Sequence, residues 1–106
     1  MNQGILSIVV PTREGLPNYW IEGLLKIKGD VELILVHPLG MKKLPISNPR
    51  VQQINSSFRG EVIQRMTGLM NASKKYVLTI NCDEFLHPDI AEITRQYFTK
   101  FPDNWV

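Results

Sequence analysis

The run Tyr76-Val77-Leu78-Thr79-Ile80 passes directly into Asn81-Cys82-Asp83-Glu84. The first five residues are β-branched, aromatic or aliphatic and read as a short buried strand. The acidic and amide side chains that end it supply oxygen ligands. In an open α/β sheet, ligands bind beyond the carboxyl ends of the strands, and these oxygens fall there. Hard divalent cations prefer such donors, and a cation held this way can carry a diphosphate. A second apolar run, Ile5 to Val10, ends in Pro11-Thr12-Arg13-Glu14 and offers a second polar wall.

The rest of the chain arranges itself around these two runs. Ile5 to Val10 is apolar on both faces apart from Ser7, the pattern of a central parallel strand. Pro11 has no N–H to give a ladder and ends it. Gly15-Leu16-Pro17 predicts a turn and a helix start. Tyr19 to Lys28 then carries Trp20, Leu24 and Ile27 at helical spacing, closed by Gly29-Asp30. Val31 to Val36 is a second buried strand, ended by His37-Pro38-Leu39-Gly40. Residues 41–49 hold two prolines and read as a loop. A third, more polar strand over 50–54 suits a position near a sheet edge. Gly60 to Ser73 is predicted helical, with Ile63, Met66 and Met70 on one side and Val62 and Leu69 alongside, expected to be its core face. The fourth strand is 76–80. A last helix, Pro88 to Lys100, has Ile90, Ile93, Tyr97 and Phe101 as its expected buried stripe.

The order β-α-β-β-α-β-α implies parallel strands joined by right-handed crossovers. The predicted fold is a single α/β domain over residues 1–106, with strand order 3-2-1-4 and helices on both faces. Strands 1 and 4 then become neighbours at a topological switch point, where a crevice opens beyond their carboxyl ends. Pro11 to Glu14 and Asn81 to Glu84 both line it.

Composition narrows the function classes. A net charge of +2 over 106 residues implies neither nucleic acid nor an acidic membrane by itself. Cys82 is the one cysteine, so no intrachain disulfide forms, which fits a reducing compartment. No apolar run approaches the roughly 20 residues of a membrane span, and the amino terminus has no secretory pattern. The expected location is the cytoplasm. No glycine-rich phosphate loop is present, and Cys82 has no Cys-His zinc or nucleophile spacing around it.

Three segments together resemble the N-terminal, nucleotide-sugar-binding half of GT-A-fold glycosyltransferases of the large inverting family 2. They are Leu6-Ser7-Ile8-Val9-Val10-Pro11-Thr12, Arg65-Met66-Thr67-Gly68-Leu69-Met70-Asn71-Ala72, and Tyr76 to Asp89 with its D-x-D-like element. The resemblance implies a donor site. Asp83 would take the last Asp of the D-x-D, which holds Mn²⁺ or Mg²⁺ bridging the donor diphosphate, with Glu84 a neighbour. Asn81 stands at the first Asp, one charge short. Pro11, Thr12, Arg13 and Glu14 would hold base and ribose, and Arg65 would lie near the nucleotide. The main departure is His37-Pro38, where the family has acidic residues that contact the nucleoside; His37 is either a ribose or base ligand or a satisfied structural histidine. His87 is expected to help the last helix begin.

The family's catalytic base and acceptor wall lie in a second half that has no counterpart here, so the chain alone is expected to transfer no sugar. Its partners would be a nucleotide-sugar donor, an unidentified acceptor and a second copy of itself covering apolar surface. Asn81 and His37-Pro38 also fit another reading, a non-catalytic binding module with a degenerate donor site. A receiver-like or flavodoxin-like domain is disfavoured, because the acidic cluster and phosphoacceptor Asp of receivers are missing.

Overall fold

The computed structural model describes residues 6–81 and 88–100. β1 (Leu6–Pro11), α1 (Asn18–Leu25), β2 (Val31–His37), β3 (Val51–Asn55), α2 (Glu61–Asn71), β4 (Tyr76–Thr79) and α3 (Ile90–Lys100) follow in that order. All four strands are parallel, in the order β3-β2-β1-β4. The predicted strand order is that observed, and the predicted strands agree with the observed ones to within a residue at each end, Ile5 lying outside the described residues. β1 and β2 are the interior strands and bury nearly every side chain, while β3 and β4 flank them and are half-exposed.

The alternation of β1 and β2 divides the core. Leu6, Ile8, Val10, Val31, Leu33 and Leu35 point to the face covered by Trp20, Leu24, Ile27 and Ala91. Val9, Ile34 and Val36 point to the opposite face, against which α2 packs. Helices therefore lie on both sides of the sheet. α1 starts after Pro17, whose φ of −73° and ψ of 153° make it the extended cap residue. Its carboxyl end is closed from a distance: the Arg50 guanidinium donates to the carbonyls of Leu25 (3.1 Å), Ile27 (2.6 Å) and Gly29 (3.1 Å). A cation suits the negative end of a helix dipole. Gly29, at φ 94°, takes the left-handed turn that follows.

Ser7, the one polar residue within β1, is buried for a reason absent from its own strand. Its hydroxyl donates to Glu32 Oε1 (2.8 Å) and accepts from the Lys74 N–H (3.1 Å). The same carboxylate accepts the Ser73 N–H and hydroxyl, both at 2.9 Å. Burial works to raise the Glu32 pKa, but these donors and Lys74 outweigh it and hold the carboxyl below its ordinary value. Its stabilisation is thus present above pH 4.5 and is lost as the pH falls through the lowered folded value.

Two expected helix faces are corrected. On α2, Val62, Ile63, Met66, Leu69 and Met70 are all exposed, and the buried positions are Gln64 and Gly68. Hydrophobic period located the stripe, but the helix turns its small and polar side to the sheet. On α3, Ala91 is the buried residue and Ile93 is exposed. Phe98 stacks on Tyr76, with ring centroids 4.1 Å apart. Phe101 lies outside the described residues.

Gly68 explains the inversion of α2. A Cβ built there would overlap Val9 Cγ1 and stand 3.0 Å from Val36 Cγ2. Helix propensity alone favours alanine by about 1 kcal/mol, yet overpacking typically costs about 1–3 kcal/mol, and overlap with a fixed β-branched side chain belongs at the high end. Gly68→Ala should therefore lose about 1–2 kcal/mol, read as a lower urea midpoint at unchanged slope. A midpoint equal to or above that of the parent would show that α2 does not sit this close to the sheet.

Candidate functional site

The carboxyl ends of the strands gather the residues that the sequence singled out. Thr12 N–H donates to Val36 O (2.9 Å) as β1 ends, and Ile80 N–H donates to Val9 O (3.1 Å) as β4 ends. The β1–β4 register, Val9 opposite Thr79, brings Asn81 out at the level of Pro11. Asn81, the described start of the second polar wall, thus stands beside the first, as the topology requires.

Arg65 and Asn81 meet directly. Arg65 Nη2 donates to Asn81 Oδ1, joining α2 to the end of β4. The same nitrogen pairs with Glu61 at 2.6 Å, one helical turn back, and about a quarter of the Arg65 side chain stays exposed. Arg13 and Glu14 are exposed beyond β1, while Pro11 and Thr12 are buried. Asp83, Cys82, Glu84 and His87 lie outside the described residues.

His37 is wholly buried, and its hydrogen bonds fix its tautomer. Gln53 is held by Leu44: the Leu44 N–H donates to Gln53 Oε1 (2.7 Å), and Gln53 Nε2 donates to Leu44 O (3.0 Å). The amide oxygen therefore faces His37 Nε2 at 2.8 Å, and Nε2 must carry the proton. Nδ1 is then the acceptor for the Thr12 hydroxyl at 2.5 Å. Burial pushes the imidazole below its ordinary 6.5; the Gln53 bond opposes this and the Lys43 charge adds to it. A neutral ring with both nitrogens engaged and no exposed surface ties β1 to β2 and β3. This bonding is that of a satisfied histidine.

Two site-forming residues escaped the sequence reading. Gln64 projects from α2 between the ends of β1 and β2, and its Nε2 donates to Thr12 O (3.0 Å) and Val36 O (2.7 Å). Gln53 orients His37. The signal for Gln64 was its spacing of four from Gly68 and of eight from Ala72, which marks a narrow stripe on one side of the helix. Nothing in the sequence pointed to Gln53. Asn55 Nδ2 also holds the loop after β2, donating to Pro38 O (3.1 Å) and Met41 O (2.8 Å).

The described residues do not by themselves make a metal centre. Among the described residues no group of three His, Cys, Asp or Glu side chains could hold an ion. The Asn81 amide oxygen, the one described member of the acidic stretch, already accepts from a guanidinium.

This architecture is shared with a known enzyme fold. The chain superposes on the crystal structure of S. aureus TarS residues 1–349, a family 2 glycosyltransferase, with a TM-score of 0.72 at 16% identity. The match covers 91% of this chain and 32% of that one, so the chain spans about a third of the TarS segment. The fold is accordingly GT-A-like, as the resemblance implied. No protein-family profile and no curated sequence matches the chain.

The His37 assignment has a direct check. Imidazole nitrogen resonances should show a neutral Nε2–H ring at pH 6.5. The unfolded chain takes up the His37 proton first as the pH falls below 6.5, so stability should decline from there down to the lower folded value. A ring already charged at pH 6.5, or an Nδ1–H tautomer, would contradict the network.

Proposed function

We propose that the carboxyl edge between β1 and β4 binds the diphosphate of a nucleotide-sugar donor, for inverting transfer to an acceptor hydroxyl in a complete glycosyltransferase. The observation that carries this reading is the Arg65–Asn81 contact, which sets a cation at the point where β4 runs into Cys82-Asp83-Glu84. The GT-A-like fold supports it. Arg65 would face the phosphates, and the exposed Arg13 and Glu14 would meet the nucleoside. Gln64 and His37 keep the strand ends fixed beneath them. Asp83 would hold Mn²⁺ or Mg²⁺, which when bound offsets the charge of the diphosphate. The acceptor and the catalytic base have no assigned residues in this chain.

A second reading, a non-catalytic module with a degenerate donor site, is favoured by one observation. The position where acidic nucleoside contacts are expected holds His37, which is buried and satisfied.

Calorimetry with a nucleoside diphosphate and Mn²⁺ tests both. Loss of a charged ligand should cost about 1–3 kcal/mol, so Asp83→Asn should weaken Mn²⁺-dependent binding roughly tenfold to hundredfold with the fold intact. If the parent chain binds no nucleotide with or without metal, the donor-site reading fails and only the fold remains. Binding without turnover in a longer chain carrying a second half would favour the non-catalytic module.

A further inference from the structure

The face of α2 turned away from the sheet has no work to do in the core. It carries Val62 (70% exposed), Ile63 (37%), Met66 (57%), Leu69 (46%) and Met70 (84%), and Phe58 (66%) precedes it. At 100° per residue these helical positions form one stripe directly opposite Gln64 and Gly68. Large contiguous apolar patches on a protein surface mark interaction sites.

The charges around the stripe narrow the partner. Between Phe58 and Lys75 the chain has Arg59, Arg65, Lys74 and Lys75 against Glu61 alone, a net +3 in a chain whose total is +2. Arg65 is turned to Glu61 and Asn81. Lys74 lies close enough to Glu32 to act on its carboxyl. Arg59 precedes the helix, and Lys74 and Lys75 follow it, so both ends of the ridge are basic. A second copy paired antiparallel along the stripe would set Arg59 against Lys74 and Lys75. Paired parallel, it would set like ends together. Cations meet in either case. A convex apolar ridge with basic ends instead fits a deformable surface of negative charge.

We propose that α2 is a docking face for an anionic lipid bilayer, with Val62, Met66 and Met70 entering the interface and Arg59, Lys74 and Lys75 meeting lipid headgroups. The arrangement is that of an interfacial amphipathic helix, except that its polar side is seated on a sheet. It needs neither the donor site nor a membrane span; no helix among the described residues is long and apolar enough to cross a bilayer.

Co-sedimentation of the chain with vesicles tests this, using phosphatidylcholine alone or mixed with about one-third phosphatidylserine. The chain should bind the anionic vesicles, bind the neutral ones at least tenfold less, and be released by high salt. Met66→Ser/Met70→Ser and Arg59→Glu/Lys75→Glu should each reduce partitioning roughly tenfold or more while circular dichroism stays unchanged. Absence of binding to anionic vesicles, equal binding to neutral ones, or full binding by either variant would overturn the proposal. So would a stable dimer that Met66→Ser/Met70→Ser dissolves, because the face would then belong to a second copy.

Discussion

The seat of α2 on the sheet at Gly68 sets most of what lies above it. Because position 68 has no side chain, the helix axis closes on Val9 and Val36 until a Cβ would no longer fit. That approach lets a side chain as short as Gln64 reach both Thr12 O and Val36 O. It also delivers Arg65, one residue on, to Asn81 at the end of β4. The same rotation turns Val62, Met66 and Met70 outward. One packing constraint thus fixes the strand ends, places the cation of the candidate site and creates the exposed stripe.

The carboxyl edge is built as two zones with different jobs. Toward β3 it is closed: Thr12, His37, Gln53 and Leu44 form a chain of hydrogen bonds. Among the described residues no buried side-chain polar atom lacks a partner. Satisfied buried networks of this kind rigidify what they join. Toward β4 the edge is open, with Arg13, Glu14 and Asn81 exposed and Arg65 partly so. The Ser7–Glu32–Ser73 knot holds the opposite end of the sheet. The strands are therefore clamped at both ends, and the polar groups able to meet a ligand stand on a fixed base.

The fold was legible because its signals are local. The apolar runs of β1 and β2, the proline at position 11 and the alternation of strands with helical periods left one topology to consider. The adjacency of Asn81 and Thr12 followed from topology alone. The orientation of α2 was misread because amphipathic period reports a contrast between faces, not which face meets the core; the glycine at 68 was the stronger clue. His37 was left with two readings because its bonding depends on Gln53 and Leu44, whose positions only the folded sheet brings near. Arg50 capping α1 was invisible for the same reason.

We propose the open edge between β1 and β4 as the place where this domain meets a nucleoside diphosphate. Amide and side-chain resonances of the ¹⁵N-labelled chain, followed during titration with a nucleoside diphosphate and Mg²⁺, test it most directly. Shifts should concentrate at Arg13, Glu14, Arg65 and Asn81 and leave Ser7, Glu32 and Ser73 at the other end of the sheet unmoved. No shift at millimolar ligand, or shifts centred on the Ser7–Glu32–Ser73 end, would contradict it.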